Sequence, residues 1–487
     1  MEQPLILALD IGTSSVRAAL YDAEANPIPR ANVKIERSLV VTSDGGAEID
    51  ADEAFAQVSA AIDALLKKTT RLKDDIEYVA SCSFWHSLVG VDAKGKPTTK
   101  VFGWADTRSR KHTDVLRKKF DESKAHNRTG ARFHSSFWPA KLLWLRKESP
   151  DVFAKTVKWL SFSDYVALKL FGEAATSVSM ASGTGIFDIR KCSWDAELLK
   201  YLKIKPSNLP AIIDADSATF MLNKTFAKRW PRLAKAQWFP SIADGAADNI
   251  GAGCMTRSKA ALMVGTSGAM RVAYTGDPPK KIPPGLWCYR VDRKRVVIGG
   301  ALSDGGGLFQ WLKKNLVLPK DAAAQIAKRS PESSGLAFLP FLAGERSTGY
   351  HESARGAVLG LTSATNTVDI LQAALESVAY RFAEIHDQLN TVVRIKEIVA
   401  SGGALRESPV WTQIIADVLG RDLTMNDVQE SSSRGAVLLA LESIGKMVNI
   451  DKSTVSAERS VRADRARIGL YRKARDRHAE SYKLLIR

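Results

Sequence analysis

One pattern constrains this chain more than any other, and it is written twice. Leu5-Ile6-Leu7-Ala8-Leu9 runs into Asp10-Ile11-Gly12-Thr13-Ser14-Ser15, and an apolar, β-branched pattern resumes from Val16 to Tyr21. In the second half, Ala260 to Val264 runs into Gly265-Thr266-Ser267-Gly268-Ala269 and returns through Met270 to Tyr274. Each reads as strand, small-residue turn, strand. Aligned, Gly12-Thr13-Ser14 falls on Gly265-Thr266-Ser267. A repeat at about half the chain length implies two related units, one per half. The length of 487 residues asks for the same division, because one hydrophobic core stops growing well short of it. The expected division is 1–246 and 247–487, in the small-residue stretch from Ala243 to Gly253. That stretch reads equally as a linker or as a helix packed closely on a neighbour, since Gly and Ala let backbones approach.

Between the hairpins the pattern alternates helix and strand, which implies an α/β fold. Residues 51–68 have helical apolar spacing behind Asp50, a good N-cap. Ile76 to Ser83 reads as a strand leading to Phe84-Trp85-His86-Ser87, and Val89 to Asp92 as another ending in a turn. Helices are expected over much of 108–125 and 139–170. Ile395 to Ser401 is a strand running into Gly402-Gly403-Ala404. A helix follows from Pro409 to Leu419, with Gly420 as its C-cap.

Composition narrows the function classes. The net charge is +17, but the basic residues are spread along the chain. Their densest run, Arg462 to Arg477, reads as a solvated helix, so a nucleic-acid binder ranks last. The four cysteines form no CxxC pair, which argues against a metal or redox framework and for a reducing compartment. The N-terminus, MEQPLILALD, lacks a basic region ahead of its short apolar run and reads as a strand, not a signal peptide. No apolar run reaches the roughly 18 residues of a membrane span. A cytoplasmic protein without membrane or nucleic-acid partners is expected.

Several residues are placed for chemistry. Two Gly-Thr-Ser loops facing each other would close backbone N–H groups and hydroxyls over a phosphate tail. A ligand-free hairpin is the plainer reading of either loop alone. Asp10, beside the first loop, suits Mg²⁺ held with phosphate oxygens, or an Asx-turn. Asp244 suits a base that takes a hydroxyl proton during phosphoryl transfer, or a helix N-cap. Asp248 competes for the same role, and spacing alone does not separate them. Trp85 and His86 suit a sugar pocket or plain packing. Gly402-Gly403 would admit an adenosine against bare backbone, or simply turn the chain.

Together these motifs resemble the FGGY family of carbohydrate kinases, within the actin-like and Hsp70-like ATPase superfamily. LALDIGTSSVRAALYD is similar to the family's first phosphate loop, ALMVGTSGAM to its second, and VASGGALRESPVWTQIIADVLG to its adenosine motif. LAGERSTGYHESARGAVLGL resembles the C-terminal signature, and WADTRS and TGARFHSSFWPAK resemble N-domain motifs. Six motifs in order cover nearly the whole chain. The resemblance implies two actin-like (ribonuclease H-like) domains with a cleft between them. It implies an ATP- and Mg²⁺-dependent kinase acting on a sugar or sugar acid, and leaves a homodimer open.

The resemblance also assigns roles. In the family the catalytic base is an Asp seven residues before a Gly, which selects Asp244, seven before Gly251. Asp10 would organise Mg²⁺. Thr13, Ser14, Arg17, Gly265 and Thr266 would contact phosphates, and Gly306, Gln310 and Gly403 the nucleotide. Trp85, His86, Ser136 and Asp244 would contact the acceptor. His86 to Asp92 and WADTRS look most like the gluconate kinase branch. Xylulose kinases show Met-His-Gly where this chain has Trp-His-Ser, and glycerol kinases an Arg-Glu pair that is absent here. Three positions depart from the family pattern: Trp85 for Met, Trp138 for a small residue or Pro, and Ser303-Asp304 for Asn-Asn. Arg132, His134 and Lys141 are candidate carboxylate partners. A xylulose or other pentulose or polyol kinase is the second reading, and a non-catalytic actin-like ATPase scaffold a distant third.

Overall fold

The computed structural model describes residues 4–486 except 73, 215–218, 427, 429, 448, 454 and 456. Two large sheets organise it. The first contains β1 (Leu5–Ile11), β2 (Ser15–Tyr21), β3 (Pro27–Glu36), β4 (Ile76–Ser83), β5 (Gln237–Trp238) and β6 (Ile242–Ala243). Its order is β5-β4-β1-β2-β3, with β6 also on β4. The second contains β7 (Lys259–Val264), β8 (Gly268–Thr275), β9 (Trp287–Arg290), β10 (Arg295–Leu302), β11 (Glu397–Ser401), β12 (Leu423–Asn426) and β13 (Ala457–Val461). Its order is β9-β10-β8-β7-β11-β12-β13.

The repeat read from the sequence is a repeat of topology. In each sheet the Gly-Thr-Ser hairpin is antiparallel, its second strand pairs antiparallel with a third, and its first pairs parallel with a strand reached by a long connection. The two-residue side-chain period of β1 explains how it is covered. Leu5, Leu7, Leu9 and Ile11 enter one core, which also holds Val58, Ile62 and Leu65 of α1 (Ala51–Lys68). Ile6 and Ala8 enter a second core that both halves of the chain build. Asp50 caps α1 through the N–H groups of Asp52 and Glu53.

The stretch from Ala243 to Gly253 is not a linker. It carries α2 (Asp244–Gly251), a helix in which every residue after Asp244 is buried. A division after residue 246 falls inside this helix, so α2 belongs to the junction of the lobes. Later helices are α3 (Gly306–Asn315), α4 (Thr367–Leu389), α5 (Pro409–Leu419), α6 (Ser431–Ser443) and α7 (Arg465–Leu485). Gly420 ends α5 in the left-handed conformation. The basic run near the C-terminus lies mostly on α7, which buries only Tyr471, Ala474 and His478. Among the described residues no helix is long and apolar enough to cross a membrane.

α6 packs on α2 and on β1 and β4 of the first sheet. The crossing of α2 and α6 leaves no room for side chains. A Cβ on Gly251 would stand 1.8 Å from the carbonyl oxygen of Ser431, and one on Gly435 would stand 1.8 Å from that of Ala247. Gly435→Ala should therefore destabilise the protein by roughly 1–3 kcal/mol through overpacking. Gly469 of α7 faces open space, with nothing within 4 Å of where a Cβ would stand, and Gly469→Ala should stabilise by about 0.5–1 kcal/mol. Denaturant midpoints of the two variants, moving in opposite directions, check the crossing.

Candidate active site

The alternation of β1 that sends Ala8 to the shared core also sends Asp10 there, at the strand's end. Asp244 opens α2, and Asp248 follows one turn later on the same side. These three carboxylates, with Arg17 of β2, Arg271 of β8 and Gly403 after β11, wall a cavity of about 250 Å³ where the lobes meet.

The carboxylates are not equivalent. Asp248 is held on both oxygens: Arg271 Nη2 donates to one at 2.5 Å, and the Ser431 hydroxyl to the other. Asp10 is 7% exposed; Arg17 Nη1 reaches it at 3.3 Å and the Cys82 thiol at 3.6 Å. Burial raises the Asp10 pKa, and the Arg17 charge opposes that rise only in part. Arg17 divides its guanidinium between Asp10 and Glu430. Asp244 accepts one hydrogen bond, from the Gly245 N–H at 2.7 Å, and has no ion-pair partner among the described residues. Asp244 is among the residues that line the cavity. Burial, then the negative charge of Asp10, pushes its pKa up to about 7, against the pull of Arg271.

The two Gly-Thr-Ser turns close alike. The Gly12 N–H donates to Ser15 O at 2.9 Å, and the Gly265 N–H to Ser267 O at 3.0 Å. Ser14 and Thr266 are exposed at the tips, with Thr13 partly so. The second turn is docked on the start of α3: Gly306 N–H donates to Gly265 O at 2.8 Å, and Gly307 N–H to Thr266 O at 2.9 Å. A Cβ on Gly306 would stand 2.5 Å from Gly265 O and 2.9 Å from Ala404 Cβ, so the turn, α3 and the segment after β11 meet there. Gln310 lies one turn along α3 and is exposed. Gly403 is open, with nothing within 4 Å of a Cβ position. Thus Asp10, Arg17, Asp244 and Gly403 share one cavity wall, while Thr13, Ser14, Gly265, Thr266, Gly306 and Gln310 lie outside its lining.

Trp85 and His86 lie beyond Asp244. A Cβ on Gly245 would stand 2.7 Å from Trp85 Cζ3, so the indole lies against the start of α2. Trp85 Nε1 donates to Ser179 O at 3.0 Å, and His86 Nδ1 lies 2.5 Å from Gly183 O. His86 holds a left-handed backbone (φ 68°), a strained conformation for a residue with a Cβ. Trp85 packs on Tyr289, centroids 5.0 Å apart, and on Trp287 at 5.8 Å, both from β9. This aromatic chamber therefore has walls from both halves of the chain. The Ser136 hydroxyl donates to Trp104 O at 2.8 Å and sits 3.0 Å from His134 Nδ1, which ties it to the loop. Trp138 is a packing residue, 1% exposed, whose Nε1 donates to Ser87 O.

Three expected carboxylate partners are already engaged. Lys141 Nζ donates to Ser135 O and Ser136 O, and burial pushes its pKa down to about 7. Arg132 pairs with Glu122, and His134 with Ser136. Sequence reasoning missed Arg271, Tyr289 and Arg346. The available signal was a lone arginine in an apolar strand, as in Met270-Arg271-Val272: a charge buried there requires a partner from elsewhere.

Comparisons with known proteins bear on the family and the fold. The model of the FGGY family of carbohydrate kinases, N-terminal domain, matches residues 5–236, and that of its C-terminal domain matches residues 260–443. A gluconokinase of Bacillus subtilis is 27% identical over 462 residues, 92% of this chain and 89% of that one. The crystal structure of gluconate kinase from Lactobacillus acidophilus has a TM-score of 0.91 at 26% identity, covering 100% of this chain and 99% of that one. The ligand-bound xylulose kinase from the same organism has a TM-score of 0.90 at 27% identity, covering 99% and 98%. The two-domain, actin-like architecture expected from the sequence is the architecture found.

The carboxyl of Asp244 has a stability consequence. Its folded pKa near 7 lies above the ordinary carboxylate value of 3.8, so the folded state binds its proton more tightly than the unfolded state. The stability from that proton is present in full below about pH 4 and is lost as pH rises to about 7. Asp244→Asn carries no such loss. The variant should melt above the wild type at pH 8, with the gap narrowing by pH 5. Thermal melts at the two pH values check this.

Proposed function

We propose that this chain, which belongs to the FGGY family of carbohydrate kinases, transfers the γ-phosphoryl group of ATP to a sugar-acid hydroxyl, with gluconate as acceptor and 6-phosphogluconate as product. One observation carries the reading. Asp244 is a carboxylate without an ion-pair partner among the described residues, poised near pH 7, between a cavity bounded by Asp10, Arg17 and Gly403 and an aromatic chamber bounded by Trp85 and Tyr289. A base belongs at such a junction, because the acceptor oxygen must lose its proton as it meets the phosphorus. Asp248 is less suited, since Arg271 and Ser431 already hold both its oxygens.

The acceptor hydroxyl gives its proton to the Asp244 carboxylate. Its oxygen bonds to the γ-phosphorus, and the bond to the bridging oxygen of ADP breaks. The chain contributes position and charge. Arg17 and the Gly-Thr-Ser turns would contact the phosphates, and Gly306, Gln310 and Gly403 the nucleotide. Asp10, buried and only partly neutralised by Arg17, fits a divalent cation that arrives with the phosphates. Mg²⁺ bound there would neutralise charge on the phosphate tail. Trp85 offers an apolar face to sugar C–H groups, and His86 is held in place for acceptor contact by Gly183 O. The gluconate choice rests on the His86 to Asp92 and WADTRS motifs and on the relatives named gluconokinase, while xylulose kinases resemble the chain about as strongly.

ADP release with Mg²⁺-ATP against gluconate, xylulose, ribulose and glycerol tests the acceptor. Strong stimulation by gluconate is expected. Stimulation by a pentulose instead would keep the kinase and discard the sugar acid. The rate should rise with pH through a limb near 7 as Asp244 ionises. Asp244→Asn should lower kcat by at least about 100-fold while ATP still binds.

A further inference from the structure

Arg346 is the charge that the site has not used. It follows Glu345, which is buried and fixed by Arg381, by the Tyr482 hydroxyl at 2.6 Å and by the Gly349 N–H at 3.1 Å. The segment that carries Arg346 is therefore rigid. Its guanidinium stacks over Trp104, 4.9 Å from the ring centroid. Trp104 is also the residue whose carbonyl takes the Ser136 hydroxyl. Among the described residues the Arg346 guanidinium donates no hydrogen bond and has no carboxylate within ion-pair distance; burial pulls its pKa down, against the opposing pull of Tyr289, Tyr350 and, in the same cleft, Asp244. A half-buried guanidinium without a direct partner is placed to take an anionic ligand.

Tyr289 stands beside it with the same deficit. Its ring is 1% exposed and lies among Trp85, His86 and Trp287. Its hydroxyl is buried and has no hydrogen-bond partner among the described residues. Buried hydroxyls without partners are rare in folded proteins. Burial raises its pKa, Tyr350 and Cys288 add to the rise, and the Arg346 charge opposes it. Tyr350, on the same segment as Arg346, has a left-handed backbone (φ 58°), as His86 does across the chamber.

We infer that Arg346 and Tyr289 bind the carboxylate of the acceptor, and so select a sugar acid over a neutral polyol. This rests on the sugar-acid reading above. A guanidinium presents paired donors to a carboxylate in a planar fork, and the phenol adds a third donor. A neutral acceptor would leave the Arg346 charge and the Tyr289 hydroxyl unsatisfied in the closed cleft. The cations expected earlier, Arg132 and Lys141, cannot serve, because Glu122 and the Ser135 and Ser136 carbonyls occupy them.

Gluconate and glucitol form a matched pair, with a carboxylate in one replaced by a hydroxymethyl group in the other. Their dissociation constants, measured by calorimetry with a non-hydrolysable ATP analogue present, isolate the carboxylate from turnover. The wild type should bind gluconate roughly 30–100-fold more tightly than glucitol. Arg346→Gln should bring the two within a few-fold of each other. Tyr289→Phe removes one hydroxyl from a packed ring and should narrow the preference by roughly 5–10-fold. It serves alone if the Arg346 variant does not fold. A wild-type preference that survives in the folded variants overturns the assignment and leaves the gluconate reading standing. A wild type that does not favour gluconate over glucitol overturns both, while transfer to a neutral sugar would preserve the kinase.

Discussion

Two helices far apart in the chain touch backbone to backbone, and the site depends on that contact. α2 and α6 cross at Gly251 and Gly435, where any side chain would strike a carbonyl oxygen. The crossing brings the start of α6 onto the start of α2. Ser431 there donates to Asp248, and the Ser432 hydroxyl reaches Asp244 O at 3.4 Å. The position of the carboxylates in the cleft is thus set by helix packing, with no loop between them and the core. Rigid elements hold site geometry more closely than loops do.

The site is organised around unequal compensation of charge. Among the described residues Asp248 has Arg271, Asp10 has half of Arg17, and Asp244 has a single backbone N–H. Burial raises the proton affinity of Asp10 and of Asp244 against that partial compensation. Around the aromatic chamber the inequality runs the other way. Lys141 and Arg132 are satisfied by protein groups, while Arg346 has no hydrogen bond or ion pair among the described residues. Among the described residues Asp244 and Arg346 make no ion pair, and a polar substrate spanning the junction would complete both.

Much of this was legible in the chain because it is local. The two hairpins, the Asp50 cap on α1 and the bounds of α5 with its Gly420 stop follow from period, turn residues and caps within a few positions. The family's spacing rule singled out Asp244 over Asp248, and the ion pair of Asp248 with Arg271 supplies an independent physical reason for that choice. What stayed hidden is long-range. Arg271 meets Asp248 across 23 positions, and Tyr289 meets Trp85 from the other half of the chain. The role of the stretch from Ala243 to Gly253 was also open, because small residues suit a linker and a tight helix crossing equally. Only Ser431 and Gly435, far away in sequence, decide it.

The fate of the γ-phosphate is the most direct measurement of whether this junction transfers a phosphoryl group to a sugar acid. Phosphorus-31 NMR of the protein with Mg²⁺-ATP and gluconate follows it in one experiment. The expected result is one phosphomonoester of gluconate formed for each ADP, with inorganic phosphate a minor signal. ADP accompanied only by inorganic phosphate, with gluconate unchanged, would contradict a base at Asp244 that serves a bound acceptor.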